Sequence, residues 1–318
     1  MNEVIAELCQ NHNGDMGLLE EMVYAAAECG ATYAKIQSMR ADDLTKRERF
    51  ENGKVDNGRV LVIKRPHEAE YQRLKPMDIS DEYHYRFIEF CRKANIKPMT
   101  TVFSRSRVPF VTKLGLDTIK VSSFDCASIP LIKDLLSEGK QRVIVSTGVT
   151  FDHEIEATVE VLRGRDFCML HCVSIYPTPL EHANLNRLGY LRRFTPHVGI
   201  SDHSNPEHHG VKLSAAAVLL GAKVVERHFT ILAKDKTKDG PVSVNPQQLK
   251  ELVSVSKMEK DELESFVEKF VPEFEIMKGS EARQMSETET LNRDYYRGRF
   301  ASKANDGSWV YNWEDREV

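Results

Sequence analysis

Two histidines close apolar runs 25 residues apart, His203 in GISDHSN and His228 in VVERHFT, and each has a polar residue two positions earlier, Ser201 and Glu226. Residues two apart on an extended strand share a face, so each pair points one way, as do Lys35 and Gln37 in AKIQS. Neighbouring strands lie about 4.8 Å apart, which lets His203 and His228 reach a common divalent ion. Spacing alone leaves open a second use, in which each is a hydrogen-bonded core histidine. Lys35 and Lys120 sit between apolar neighbours (AKI, IKV), where a buried ammonium is costly without an anion. Hydroxyls at the ends of other runs (Thr101, Ser123, Ser146, Ser174, Ser201) would join the lysines in holding a phosphate and a carboxylate. An ion pair with Glu7 or Asp125, and a lysine Schiff base, are the competing uses.

Such residues need a scaffold that brings distant run ends together. Eight short apolar or β-branched runs recur: VIAELC (4–9), YAKIQS (33–38), KPMTTVF (97–103), TIKVSS (118–123), RVIVSTG (142–148), FCMLHC (167–172), HVGISDH (197–203) and KVVERHF (223–229). Most are separated by segments with helical spacing, which predicts an α/β fold, a (β/α)8 TIM barrel, rather than an open sheet. The first connector shows the pattern, with Leu18, Met22, Ala25, Ala26 and Cys29 on one helical stripe and Gly30 as its stop. In such a barrel the chemistry belongs at the C-terminal ends of the strands, where the polar residues above fall. Asp202, out of phase with Ser201 and His203, is expected to point out of the barrel.

Composition narrows the function classes. The 318 residues are 41% hydrophobic and 29% charged, with a net charge of -4 and no basic block. That usage is ordinary for a soluble globular chain and gives no nucleic-acid footprint. No apolar run reaches the roughly 20 residues that span a membrane, and MNEVIAELCQ lacks the features of a signal peptide, so a cytoplasmic setting is expected. The six cysteines form no CxxC pair and read as reduced, buried thiols.

Two segments depart from the alternation. Residues 39–80 are long and charged, too polar to pack, and are expected as a loop over the barrel mouth, either a lid or a plain surface insertion. Residues 279–318 lose apolar periodicity and are expected as an extended tail or linker after a barrel domain spanning 1–278.

In order and spacing, IAELCQNHNGD, AKIQS, IKVSSFDC, VSTGV, LHCVSIYPTPLEHANLN, VGISDHS and GAKVVERHFT resemble the successive motifs of the sialic acid synthase (NeuB) family from residue 4 to about 250. The resemblance implies a barrel that condenses phosphoenolpyruvate with an aldose, such as N-acetylmannosamine, a related hexose or its phosphate, to a nonulosonic 2-keto acid with release of phosphate. It also implies a divalent metal on His203 and His228, Mn2+ first and Mg2+ or Co2+ as alternatives, and a homodimer. Lys35, Thr101, Lys120, Ser123, Ser146, Ser174 and Ser201 would hold phosphoenolpyruvate, with Ser174 where many members carry Asn. Glu7, Gln37, Asp125 and Tyr176 would line the sugar and the reacting water, with Asp125 in place of the usual Glu, and Asn11 of NHNG would contact substrate. Glu7, Asp125 and Lys120 are the catalytic candidates. Members commonly continue into a small antifreeze-like domain, and LNRDYYRGRFASK resembles the linker to it. Val242 in KDGPVSV stands where an acidic residue is common, with Asp239 nearby as a substitute. Two other functions stay open, a Schiff-base aldolase or lyase using Lys120, and a non-catalytic sugar or phosphoenolpyruvate binding protein.

Overall fold

A computed structural model describes residues 2–318. Eight parallel strands, in sequence order, close a barrel: Glu3–Glu7, Tyr33–Ser38, Lys97–Val102, Thr118–Val121, Arg142–Ser146, Phe167–Cys172, Val198–Asp202 and Val224–His228. Seven lie within the predicted runs, and the first begins one residue before its run, at Glu3. Helices ring the barrel, from Met16–Glu28 after the first strand to Pro246–Ser256 after the eighth, the arrangement of a (β/α)8 barrel.

Parity along the strands explains the site. Inward positions near the strand N-termini are apolar and form one plug of Ile5, Tyr33, Met99, Ile144, Cys168, Leu170 and Val224. Two residues further along, the same face carries Glu7, Lys35, Thr101, Ser146, Cys172 and Glu226. The barrel is therefore filled by an apolar layer below and by polar groups above, at the end where a ligand can offset their desolvation.

The outward face packs on the helices. Helix Met16–Glu28 starts at Asp15, whose carboxylate accepts from the Gly17 and Leu18 amides, and the chain turns away after it at Gly30 with φ +84°. Its buried stripe is Leu19, Met22, Val23 and Ala26, so Leu18 and Ala25 of the predicted stripe sit at the margin. Asp202 does point out of the barrel lumen. It pairs with Arg227, which is wholly buried, and accepts from Ser214 Oγ at 2.6 Å on helix Lys212–Leu219. That small-residue helix packs between the barrel and helix Lys260–Phe270.

Both departures from the alternation come out differently from expectation. Residues 39–80 are not too polar to pack: they contain helices Glu48–Asn52 and His67–Leu74 and a hairpin, Lys54–Asp56 with Arg59–Val62. The segment from 279 on is not extended throughout, since it forms helix Glu287–Tyr296 and hairpin Ala301–Lys303 with Trp309–Tyr311. The two meet over the barrel mouth, where Met39, Ala41, Leu44 and Leu74 bury Phe300 in a small core of their own. Thr45 Oγ1 donates to Gly298 O at 2.7 Å, and Phe50 meets Tyr295 edge-on at 5.1 Å. The buried apolar residues of this cover, Leu44, Phe50 and Leu74 among them, find partners more than 200 positions away, which no local period reveals. Among the described residues no helix is long and apolar enough to cross a membrane.

Candidate active site

A cavity of about 500 Å³ opens at the C-terminal end of the barrel. Lys35 Nζ donates to Thr101 Oγ1 at 2.9 Å, pairs with Glu7, and lies 3.5 Å from Glu226 Oε2. Lys120 Nζ meets Glu226 Oε1 at 2.9 Å, and Ser201 Oγ donates to the same oxygen at 2.8 Å. Of the predicted ion-pair partners Glu7 takes part, but Lys120 pairs with Glu226 and not with Asp125. Burial pulls the Lys35 ammonium down to about 7, with Glu226 opposing and Lys120 reinforcing the fall. Burial pushes the Glu226 carboxyl up, and the two lysines outweigh it, holding that group well below the usual carboxylate range.

Hydroxyls surround this floor. Ser146 Oγ is buried in the cavity wall without a hydrogen-bond partner, an orphan of the kind that a bound oxyanion satisfies. Ser123 Oγ accepts from the Gly148 amide at 3.2 Å. A Cβ on Gly148 would stand 2.5 Å from Ser174 Oγ and 2.8 Å from Ser123 Oγ, so only glycine lets the backbone approach there. Ser174 is fully buried behind this turn, outside the cavity lining, and its amide and carbonyl engage Glu289 and Asn292 of helix Glu287–Tyr296.

The histidines face each other beside the lysines, with ring centroids 5.1 Å apart. His203 Nδ1 lies 3.7 Å from Cys172 Sγ, and its ring meets Tyr176 edge-on at 4.5 Å. Burial pulls both imidazoles down to about 3, so they are neutral and carry lone pairs. His228 Nδ1 is buried with no hydrogen-bond partner, and Asp239 Oδ2 is 4.0 Å from it. Ligand atoms of Cys9, His228 and Asp239 lie within 4.8 Å of one another. This orphaned nitrogen with a carboxylate, a thiol and a second neutral imidazole nearby fits a divalent ion. Asp239 lines the cavity whereas Val242 is buried in the core.

Gln37 Nε2 reaches Glu7 Oε1 at 3.3 Å. Asp125 lines the cavity but accepts from Ser122 Oγ, Ser128 Oγ and Asn312 Nδ2, the last at 2.8 Å. Burial raises its pKa despite these donors. Asn312 also donates to Phe103 O at 2.9 Å, so Asp125 anchors the C-terminal hairpin to the mouth. Tyr296 stacks on Phe124 at 4.7 Å and lines the same cavity.

Asn11 is a correction. It is wholly buried and its amide is consumed by Phe229 O at 2.8 Å, Ser243 Oγ at 2.9 Å and Thr237, so it braces residues 237–243 and does not face the cavity. Of the residues beside the lysines and histidines, Glu226 was given no role from the sequence, Asp239 was named only as a substitute at the Val242 position, and Cys9 was read as a plain buried thiol. Glu226 shares His228's inward parity and was the available counter-charge for two buried lysines, a signal present in the sequence. Cys9 and Asp239 come together only through the closure of the first strand on the eighth.

The fold and the mouth together define a (β/α)8 barrel whose C-terminal end carries buried lysines, free hydroxyls and paired neutral histidines, a class of site suited to small oxyanions. The NeuB family model matches residues 22–267, and the chain belongs to that family. It is 32% identical over 262 residues to N,N'-diacetyllegionaminic acid synthase of Legionella pneumophila, covering 79% of this chain and 70% of that protein. It is 27% identical over 304 residues to spore coat polysaccharide biosynthesis protein SpsE of Bacillus subtilis, covering 94% of this chain and 78% of that one. The crystal structure of N-acetylneuraminic acid (sialic acid) synthetase from Leptospira borgpetersenii serovar Hardjo-bovis, in complex with citrate, superposes with a TM-score of 0.70 at 25% identity, over 92% of this chain and 90% of that one.

Proposed function

We propose that this chain condenses phosphoenolpyruvate with an aldose, N-acetylmannosamine-like or a related hexose, to a nonulosonic 2-keto acid with release of phosphate. The observation that carries this reading is the adjacency, in one cavity, of an oxyanion floor and a neutral-histidine pair: Lys35, Lys120 and the partnerless Ser146 hydroxyl beside His203 and His228. Its family relatives, synthases of legionaminic, pseudaminic and N-acetylneuraminic acid types, support the same chemistry.

In this reading Lys35, Lys120, Thr101, Ser123, Ser146 and Ser201 hold the carboxylate and phosphate of phosphoenolpyruvate. Ser174 acts through the Gly148 turn that presents Ser123. His203 and His228, with Asp239 and Cys9 beside them, hold a divalent metal, Mn2+ or Co2+ before Mg2+ on this donor set. When bound, the metal polarises the aldehyde oxygen as a Lewis acid. The C3 of phosphoenolpyruvate forms the new bond to the aldehyde carbon, water adds at C2, and C–O cleavage there expels phosphate. Glu7 is the base that orients and deprotonates that water, since it lies on the cavity floor beside Lys35 and Gln37, whereas Asp125 is held by Ser122, Ser128 and Asn312 and braces the C-terminal hairpin. Gln37 and Tyr176 position the sugar, and the ammoniums stabilise the charge on the departing phosphate in a water-poor mouth.

A Schiff base on Lys120 is disfavoured by geometry, because Nζ is engaged in a buried pair with Glu226 that an adduct would have to break. The test is phosphate release from phosphoenolpyruvate with Mn2+ and a panel of aldoses. Release that EDTA abolishes and Mn2+ restores supports the reading. It fails if no aldose gives release and His203→Ala leaves the metal content unchanged; covalent trapping of a keto acid by borohydride would favour the lysine adduct.

A further inference from the structure

Outward from the histidines the cavity becomes strongly cationic. Arg65, Arg73, Lys238 and Arg299 line it there, two from residues 39–80, one from the loop after the eighth strand and one from the C-terminal segment. Glu70 is the carboxylate the arginines share: Arg299 Nη2 lies 2.6 Å from Oε2, Arg73 Nη2 3.1 Å from the same oxygen, and Arg65 Nη1 3.7 Å from Oε1. Burial raises Glu70, and the three guanidiniums outweigh that and hold it at about 2. One carboxylate cannot satisfy three guanidiniums with five donors each. Arg73 grips Glu70 with Nε as well, at 3.4 Å from Oε1, and sends a third donor to Gln10 Oε1 at 2.7 Å, so the spare donors belong mainly to Arg65 and Arg299. Arg299, nine-tenths buried, keeps its Nε without any partner.

Lys238 adds a fourth cation and makes no ion pair among the described residues. Four cations and two carboxylates thus line the cavity from the segments outside the strands, whereas Lys35 and Lys120 stand on the strands themselves. Cations held together with donors to spare in a half-buried pocket are unfavourable until an anion arrives.

We propose that the aldose partner carries an oxyanion, a phosphate ester or a carboxylate, at the end remote from its aldehyde, and that Arg65, Arg73, Lys238 and Arg299 form its subsite. This rests on the condensation reading for the aldehyde end. The subsite selects the substrate by charge: a neutral sugar leaves the guanidiniums unpaired, whereas a dianionic phosphate takes bidentate contacts from them.

Two measurements test this separately from turnover. The first is calorimetric binding to the phosphoenolpyruvate-loaded protein of a hexitol 6-phosphate, an aldonic acid and a plain hexitol, none of which has an aldehyde and none of which can react. The hexitol phosphate is expected to bind at least tenfold more tightly than the hexitol, and Lys238→Ala and Arg65→Ala, both at accessible positions, to remove most of that difference. The aldonic acid distinguishes phosphate from carboxylate. The second is steady-state kinetics, where the same variants should raise KM for a hexose 6-phosphate about tenfold or more while KM for phosphoenolpyruvate moves less than twofold. Equal binding of hexitol and its phosphate, or a KM effect confined to phosphoenolpyruvate, overturns the subsite. Tight hexitol phosphate binding without turnover of any aldose keeps the subsite and overturns the condensation.

Discussion

Lys120 on the fourth strand and Glu226 on the eighth meet across the barrel at 2.9 Å, and the other oxygen of Glu226 lies 3.5 Å from Lys35. Removing one member of a buried charge network leaves the others uncompensated, at a cost of about 3 kcal/mol or more. Glu226→Gln is therefore expected to lower Tm by several degrees in the absence of ligand. Phosphoenolpyruvate restores the missing negative charge, so it should raise Tm more in the variant than in the wild type. Differential scanning fluorimetry with and without phosphoenolpyruvate decides it, and equal increments would mean that Glu226 does not share a charge site with the substrate.

Lys35 gives the pH dependence a sign. Its folded pKa of about 7 lies below the ordinary 10.5, so between those values the unfolded chain holds a proton that the folded chain has released. By linkage this group's contribution to stability rises with pH across that window and is at its most unfavourable below pH 7. Substrate binding runs the other way, because an anion needs the ammonium. The KM for phosphoenolpyruvate should rise above pH 7, by up to tenfold per unit for one required proton, and Lys35→Arg should flatten that limb. A KM that is constant from pH 6 to 9 in the wild type would remove Lys35 from the anion site.

Gly148 tests the hydroxyl cradle. The added methyl in Gly148→Ala would lie within 2.8 Å of both Ser123 Oγ and Ser174 Oγ and must displace them. Losing one hydrogen bond to a charged group costs about 1.5–3 kcal/mol, which predicts at least a tenfold rise in KM for phosphoenolpyruvate with most of the fold's stability retained. Paired measurements of KM and Tm check it, and an unchanged KM would place the phosphate elsewhere.

The barrel was legible because inward parity and helical spacing are local properties, and all eight runs carry them. The lysines and histidines were legible for the same reason, since charged groups between β-branched neighbours must face something polar. Glu226 was placed on the inward face with His228 but given no role, because its partner, Lys120, is 106 positions away on the opposite wall. Asn11 failed in the reverse sense: a polar motif beside a strand end looked like a ligand contact, yet its amide closes a loop. The mouth cover was hidden because Phe300 finds Leu44 and Leu74 only after the barrel has brought both segments to one end.

Cys9 gives the last prediction. Its thiol is buried, and burial together with Asp239 raises its pKa well above the ordinary value. A divalent ion on His228 and Asp239 would bring enough positive charge to deprotonate it. If Cys9 joins the ion, Co2+ added to the metal-free protein should produce a thiolate-to-cobalt charge-transfer band in the near ultraviolet. Cys9→Ser should lose that band while keeping the weaker visible bands from the histidines, and should hold Zn2+ or Co2+ roughly 10- to 100-fold less tightly, with Mg2+ affinity scarcely altered because a hard ion gains little from sulfur. His228→Ala should lose both sets of bands. A wild-type cobalt spectrum without the charge-transfer band would confine the ion to His203, His228 and oxygen ligands, leaving Cys9 as a packing residue against Asp239.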